Sequence, residues 1–296
     1  MKSIYCRQLR SIKSVHEDSV AFNVEGEENG IMKQRIITAV VVAAIFIPLV
    51  ILGGTPFLLT VYLLGSIGLY ELMKMKKIRV LSFEAFLSHI LLWVLLLPNE
   101  HTAFLAEINY DKVQVFLIGV LLLLLYTVVS KNRFTFDDAG FLVISILYLG
   151  IGFYYLFETR DSLGLGLIYI LLTLFTIWAT DSGAYFIGKS LGKRKLWPEI
   201  SPNKTVEGFI GGLFSAMVVG VLFYSFSNLD YTLLQLLLIS LIIGVFGQLG
   251  DLVQSAYKRH YGVKDSGKLL PGHGGILDRL DSVIFILPIL HLLHVL

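Results

Sequence analysis

Residues 255–281 read SAYKRHYGVKDSGKLLPGHGGILDRLD, an island of charge and glycine with an apolar, membrane-length stretch on each side, about 231–257 before it and 277–295 after it. A helix needs roughly 20 apolar residues to cross a hydrocarbon layer about 30 Å thick. The chain is therefore expected to cross a bilayer, emerge, turn at Pro271-Gly272-His273-Gly274-Gly275, and go back in. Within the island Lys258, Arg259, Lys264, Lys268 and Arg279 are interleaved with Asp265, Asp278 and Asp281. Such a mixture suits a metal ion and phosphates at a membrane surface.

Composition extends the same reading to the whole chain. At 296 residues, 55% hydrophobic and 16% charged, it is more apolar than a water-soluble domain, whose charged share is about 25%. In lipid every backbone polar group must be satisfied internally. The expected fold class is all-α: a polytopic membrane protein with about nine transmembrane helices, at 36–52, 55–73, 83–98, 112–130, 138–157, 164–187, 206–226, 231–257 and 277–295. Residues 1–31 form a polar N-terminal extension, expected to be poorly ordered, and 32–296 one membrane-embedded domain. The net charge of +2 and the scattered short basic clusters exclude a nucleic-acid-binding stripe. The single cysteine, Cys6, excludes an internal disulfide and a cysteine-based zinc site.

Basic loops set orientation. Lys33 and Arg35, then Lys74 to Arg79, Lys131 and Arg133, Lys189 to Lys204, and Lys258 to Lys268 all fall on one side of the nine spans, and the opposite connections are short or acidic. This predicts a cytoplasmic N-terminus, an external C-terminus and a site facing the cytoplasm, in the plasma membrane. The basic clusters after the second and fourth spans are read only as topology signals or as a general attraction for anionic lipid heads.

Asp278 and Asp281 stand three residues apart at the start of a helix, a spacing that places two carboxylates on one face. With Asp251 near the end of the preceding span they form a candidate oxygen-rich site for a hard cation such as Mg2+; salt bridges to Lys258 and Arg279 are the alternative. Asp181, on an apolar helix, needs a polar cavity or a place in the same metal network. Lys258, Arg259, Lys264, Asp265, His273 and Arg279 are the candidate catalytic groups. Ser201, Lys204, Thr205, Ser255, Gly274 and Gly275 are candidates for substrate contact, because helix N-termini and glycine turns offer amides to anions; Thr205 or Ser201 also suits a helix cap. The run 183–190, GAYFIGKS, matches the P-loop spacing but continues a membrane helix with no strand before it, so a nucleotide P-loop is rejected.

These residues give the chain a family likeness. Ser255-x-x-Lys258-Arg259, Lys264-Asp265-x-Gly267, Pro271-Gly272-His273-Gly274-Gly275 and Leu277-Asp278-Arg279-x-Asp281-Ser282 closely resemble the phosphatidate cytidylyltransferases, or CDP-diacylglycerol synthases. Gly250-Asp251-Leu252, Ser201-Pro202-x-Lys204-Thr205-x-Glu207-Gly208 and Asp181-Ser182-Gly183-Ala184-Tyr185 look like further motifs of that family, and the likeness runs from about Met32 to the C-terminus. Asn203 departs from it, standing where a lysine is common. The resemblance implies a membrane-bound nucleotidyltransferase of phospholipid biosynthesis that moves CMP from CTP to phosphatidate, yielding CDP-diacylglycerol and pyrophosphate. It also implies a need for Mg2+, with room for a second cation, and a homodimer. The competing readings are a CTP-dependent lipid kinase, separable by its products, and an ion or phosphate transporter, whose acids would be spread across the midplane.

Overall fold

The computed structural model describes residues 34, 37–162, 164–227 and 229–296. The expectations for the extension 1–31 and for Lys33 and Arg35 lie outside them. Helices occupy all nine apolar stretches: α1 (Ile37–Leu52), α2 (Gly54–Lys76), α3 (Phe83–Leu96), then a short α4 (Ala103–Glu107), and α5 (Lys112–Val129), α6 (Phe136–Asp161), α7 (Gly166–Leu191), α8 (Val206–Phe226), α9 (Leu233–His260) and α10 (Leu277–Leu292). Six of these, α2 and α5 to α9, are long and apolar enough to cross a membrane, whereas α1, α3 and α10 are shorter.

Polar residues start the helices where turns end. Ser82 accepts the Ala85 amide at the head of α3, and Thr205 accepts that of Gly208 at the head of α8. Asp111 with Gln114, Thr135 with Asp138 and Thr232 with Gln235 form reciprocal capping boxes on α5, α6 and α9. Each satisfies amides that the first turn leaves without a helical partner. At the other end of α2, Lys77 takes a left-handed conformation, and the amides of Lys77 and Ile78 fold back onto the carbonyls of Lys74 and Met73.

The all-α expectation needs one correction. Between α7 and α8 the chain forms an antiparallel hairpin, β1 (Lys195–Trp197) and β2 (Ser201–Thr205), with Lys195 opposite Thr205 and Trp197 opposite Ser201. Its turn is closed by the Ile200 amide donating to the Trp197 carbonyl at 3.2 Å, with Pro198 at the position where its fixed φ suits a turn. The strands are short and mostly exposed, with no run of alternating apolar residues to announce them.

Packing proceeds from α7 to α8, α9, α10 and α6, and from α6 to α2, α3 and α5. Leu92 and Leu96 of α3, Leu142, Leu149 and Phe153 of α6 and Leu287 of α10 are fully buried in one hydrophobic core, with α6 packed against both α3 and α10. The outermost helix, α5, buries only Phe116, Gly119 and Leu123; Leu117, Leu121 and Leu125 face outward, as lipid solvation requires. Helix α8 lies close on α7 because Gly212 has no side chain: a Cβ there would come 2.9 Å from the Thr180 carbonyl oxygen. That contact brings the hairpin and the head of α8 against the polar half of α7.

Candidate active site

Three helices contribute one carboxylate each to the same region: Asp181 from α7, Asp251 from α9 and Asp281 from α10. Asp281, only 8% exposed, lies within Coulombic reach of both others. Its Oδ1 accepts the Ser282 amide at 2.7 Å. Asp251 is held on both sides, by Lys204 Nζ at 2.6 Å from Oδ2 and by the Ser255 hydroxyl, which donates to Oδ1 at 3.3 Å. Lys204 reaches it from β2, so the hairpin delivers a cation to the acids. A cavity of about 430 Å³ opens here, lined by Asp181, Tyr185, Lys204, Thr205, Gln248 and Asp251 among others.

The glycine loop between α9 and α10 is organised by two further acids. Asp278 Oδ2 accepts the amides of Ser266 (2.8 Å) and Gly275 (2.9 Å) and is 3.1 Å from the Ser266 hydroxyl, while Oδ1 pairs with Lys258 Nζ at 2.7 Å. Glu71 of α2, 2% exposed, accepts the amides of Ile276 (2.8 Å) and Leu277 (3.1 Å) and is 2.8 Å from the same hydroxyl. It thus serves amides that would be orphaned at the start of α10, with a charge of the sign a helix N-terminus favours. Gly274 has φ +86°, and a Cβ there would sit 2.5 Å from Asp278 Oδ2, so the turn admits only glycine. Arg279 donates from Nε (3.2 Å) and Nη2 (2.9 Å) to the His273 carbonyl.

The residues singled out in the sequence divide between two depressions. Asp181, Lys204, Thr205 and Asp251 line the first. Lys264, Asp265, His273, Gly274 and Arg279 line the second, about 620 Å³. Arg279 is also close enough to Asp181 for their charges to interact. Lys258 is engaged with Asp278, yet still within Coulombic reach of Asp281. His273 Nδ1 is buried without a hydrogen-bond partner. Arg259 is turned to the main chain, donating to the Ile200 carbonyl at 3.2 Å and the Val263 carbonyl at 3.5 Å, so it pins the hairpin turn. Ser201 opens β2 opposite Trp197, Thr205 caps α8, and the Gly275 amide is taken by Asp278.

Asp278 and Asp281 diverge despite their spacing: the first serves the loop and the second faces Asp251. Among the described residues no three His, Cys, Asp or Glu side chains stand close enough to hold a metal ion together. The donor chemistry nevertheless fits a hard cation, since Asp181, Asp251 and Asp281 offer carboxylate oxygens and the Lys204 ammonium compensates Asp251 in this arrangement. Asp278 could join such an ion only by giving up the donors it already holds.

Sequence reasoning missed Glu71, Gln248 and the full role of Glu207. Gln248 lines the first cavity and donates to the Phe209 and Gly244 carbonyls. Glu207 accepts the Lys193 amide at 3.0 Å and the Arg194 amide at 3.2 Å, closing the end of α7 onto α8. For Glu71 a signal existed: an acid inside an apolar span is costly unless it has a task.

Acids, lysines and an arginine around two depressions can hold a polyanion and place a second anion beside it, the requirement of phosphoryl and nucleotidyl transfer. Known proteins agree with that chemistry. The model of the cytidylyltransferase family matches residues 33–296. The phosphatidate cytidylyltransferase of Bacillus subtilis (strain 168) is 53% identical over 262 residues, 88% of this chain and 97% of that one. That of Staphylococcus haemolyticus is 47% identical over 263 residues, 88% and 98% of the two chains. That of Staphylococcus aureus (strain COL) is 46% identical over the same lengths. A match over almost everything beyond the polar extension, with relatives this similar along nearly their full length, means that the chain belongs to the cytidylyltransferase family.

Proposed function

We propose that the protein is a phosphatidate cytidylyltransferase, moving CMP from CTP to phosphatidate to give CDP-diacylglycerol and pyrophosphate. The observation that carries this reading is the Lys204–Asp251 pair in a cavity that Asp181 also lines, with Asp281 near enough to feel both acids, in a chain whose relatives are phosphatidate cytidylyltransferases. A phosphate oxygen of phosphatidate attacks the α-phosphorus of CTP; the bond from that phosphorus to the bridging oxygen breaks, and pyrophosphate leaves with the electron pair. The attacking group is already an anion, so no strong general base is needed. The difficulty is to bring two anions together and to stabilise the charge that moves onto pyrophosphate.

The residues fit that task. Lys264 and Arg279 line the depression under the loop and would neutralise the triphosphate, Arg279 with its guanidinium already oriented by the His273 carbonyl. Lys204, now paired with Asp251, would become available to phosphate oxygens if a bound cation compensated that acid, while Lys258 would approach the phosphates from its place on Asp278. Ser255 orients Asp251, Arg259 fixes the hairpin that carries Lys204, and Asp265 and His273 border the phosphates. Mg2+, with a second cation accommodated, would be held by Asp251 and Asp281 with Asp181, and would screen the triphosphate and withdraw charge from its oxygens. The acyl chains stay in lipid while the headgroup enters from the side.

The same reading includes nine membrane spans, a cytoplasmic N-terminus and site, an external C-terminus and a homodimer. The decisive assay is detergent-purified protein with CTP labelled on the α- and γ-phosphates, phosphatidate and Mg2+. CDP-diacylglycerol and pyrophosphate appearing in equal amounts are the expected products. A phosphorylated lipid with CDP, or no turnover, would sink the assignment, and a monomer by light scattering would remove the dimer.

A further inference from the structure

The turn between α2 and α3 and the turn between α5 and α6 are distant in sequence and carry basic residues that topology alone would explain. In the structure they enclose one cavity of about 500 Å³, whose lining includes Lys76, Lys77, Arg79, Lys131 and Arg133 against two acids, Glu84 and Asp138. Lys76 is paired with Asp138 at 3.3 Å. Among the described residues the other four cations have no acid within salt-bridge distance. Glu84 is 5% exposed, and its Oε2 has no hydrogen-bond partner. A buried carboxylate oxygen without a donor is unfavourable.

Cations near a helix C-terminus complement its dipole, which accounts for some of this charge. It does not account for the backbone that displays it. Lys77, Lys131 and Asn132 have φ of 64°, 54° and 59°, the left-handed region where glycine is the ordinary choice. The second turn is built firmly, with the Lys131, Asn132 and Arg133 amides donating back to Val128, Thr127 and Ser130. Lipid is close by: Val129 lines the cavity, and Val128 and Val129 are each 74% exposed on the outermost helix.

We propose that this cavity binds the headgroup of an anionic phospholipid, its phosphate between Arg79, Lys131 and Arg133 and a headgroup hydroxyl or ammonium donating to Glu84. Four unpaired cations select a phosphate, and the unpartnered carboxylate selects a headgroup with a donor. The site is separate from the catalytic depressions but lies at the same end of the bundle. Lys76 stands 5.8 Å from the Phe141 ring centre, and Phe141 packs on Tyr257 and Tyr261 beside Lys258.

Native mass spectrometry of the detergent-purified protein with added lipids tests this. Phosphatidylglycerol should bind about ten-fold more tightly than phosphatidylmethanol, which has the same charge but no donor, and far more tightly than phosphatidylcholine. The double variant Lys131→Gln, Arg133→Gln should lose about ten-fold in phosphatidylglycerol affinity while its melting temperature and CTP turnover stay unchanged. Equal binding by the double variant would overturn the site, and equal binding of phosphatidylmethanol would overturn the role of Glu84. Complete displacement by millimolar inorganic phosphate or glycerophosphoglycerol would show that the cavity takes soluble phosphates instead of lipid.

Discussion

Two aspartates three residues apart carry different duties, and their substitution should separate them. Asp281 is buried, near enough to Asp251 and Asp181 to feel their charge, and keeps one protein donor, the Ser282 amide. Asp281→Asn removes a like charge from the acidic group, so without Mg2+ the melting temperature should hold or rise. Turnover should fall about 10²–10³-fold, the range for losing one preorganised electrostatic contact. Asp278 instead accepts two amides of the glycine loop, those of Ser266 and Gly275, and pairs with Lys258. Asp278→Asn should therefore cost about 1.5–3 kcal/mol of stability, as for hydrogen bonds to a charged group, with a lower melting temperature. If both variants melt alike and lose turnover alike, the division of labour is wrong. The spacing made both acids legible in the sequence but not their directions, because Asp278 sits in the first turn, where loop amides compete for it. Lys204 was legible as a cation near a helix start; its contact with Asp251 was not, since β2 and α9 meet only in the fold.

Among the elements, α2 does more than span. Its Glu71 reaches the loop from a helix otherwise far along the chain, accepting the Ile276 and Leu277 amides, so the head of α10 and the loop depend on α2. Glu71→Gln leaves one acceptor for those amides and for Ser266 and removes the charge that favours a helix N-terminus. A loss of about 1.5–3 kcal/mol is expected, read as a lower melting temperature in detergent together with reduced CTP turnover. Unchanged melting would show that the loop holds itself. Hydropathy revealed the helices because each apolar run is bounded by a polar turn, and the caps at Ser82, Asp111, Thr135, Thr205 and Thr232 agree with that punctuation. It could not reveal the β1–β2 hairpin, whose strands bury almost nothing. Nor did it single out Glu71, an acid lying inside an apolar stretch with no turn to draw attention to it.

For the whole molecule the question is whether the three shorter helices cross with the six longer ones. At about 1.5 Å per residue, α3 rises only about 21 Å and α1 and α10 about 24 Å each, less than the roughly 30 Å of hydrocarbon. Side-chain contacts nevertheless run them alongside longer neighbours, at both ends for α1 and α10. Thr38, at the start of α1, donates to the Pro271 carbonyl at 3.1 Å, while the end of α1 gives its Val50 and Ile51 carbonyls to Arg160 at the far end of α6. Helix α10 begins beside Lys258 and reaches the Thr159 hydroxyl through His291 at 2.8 Å. In α3, Trp93 donates to Ser66 and accepts from Tyr62 on its carbonyl, so α3 returns along α2 toward the start of that helix. Short helices can match a thicker layer by local thinning or by flanking polar residues, and this arrangement supports nine crossings. A cysteine-free background, Cys6→Ser, makes the count measurable. With single cysteines at Glu100, Asp230, Glu199 or Lys268, all exposed, a membrane-impermeant maleimide applied to intact cells should label only the first two, and the others after permeabilisation. Labelling of Lys268→Cys from outside would invert the orientation and remove the site from CTP. Protection of Glu100→Cys would mean that α3 does not cross, and the count would fall.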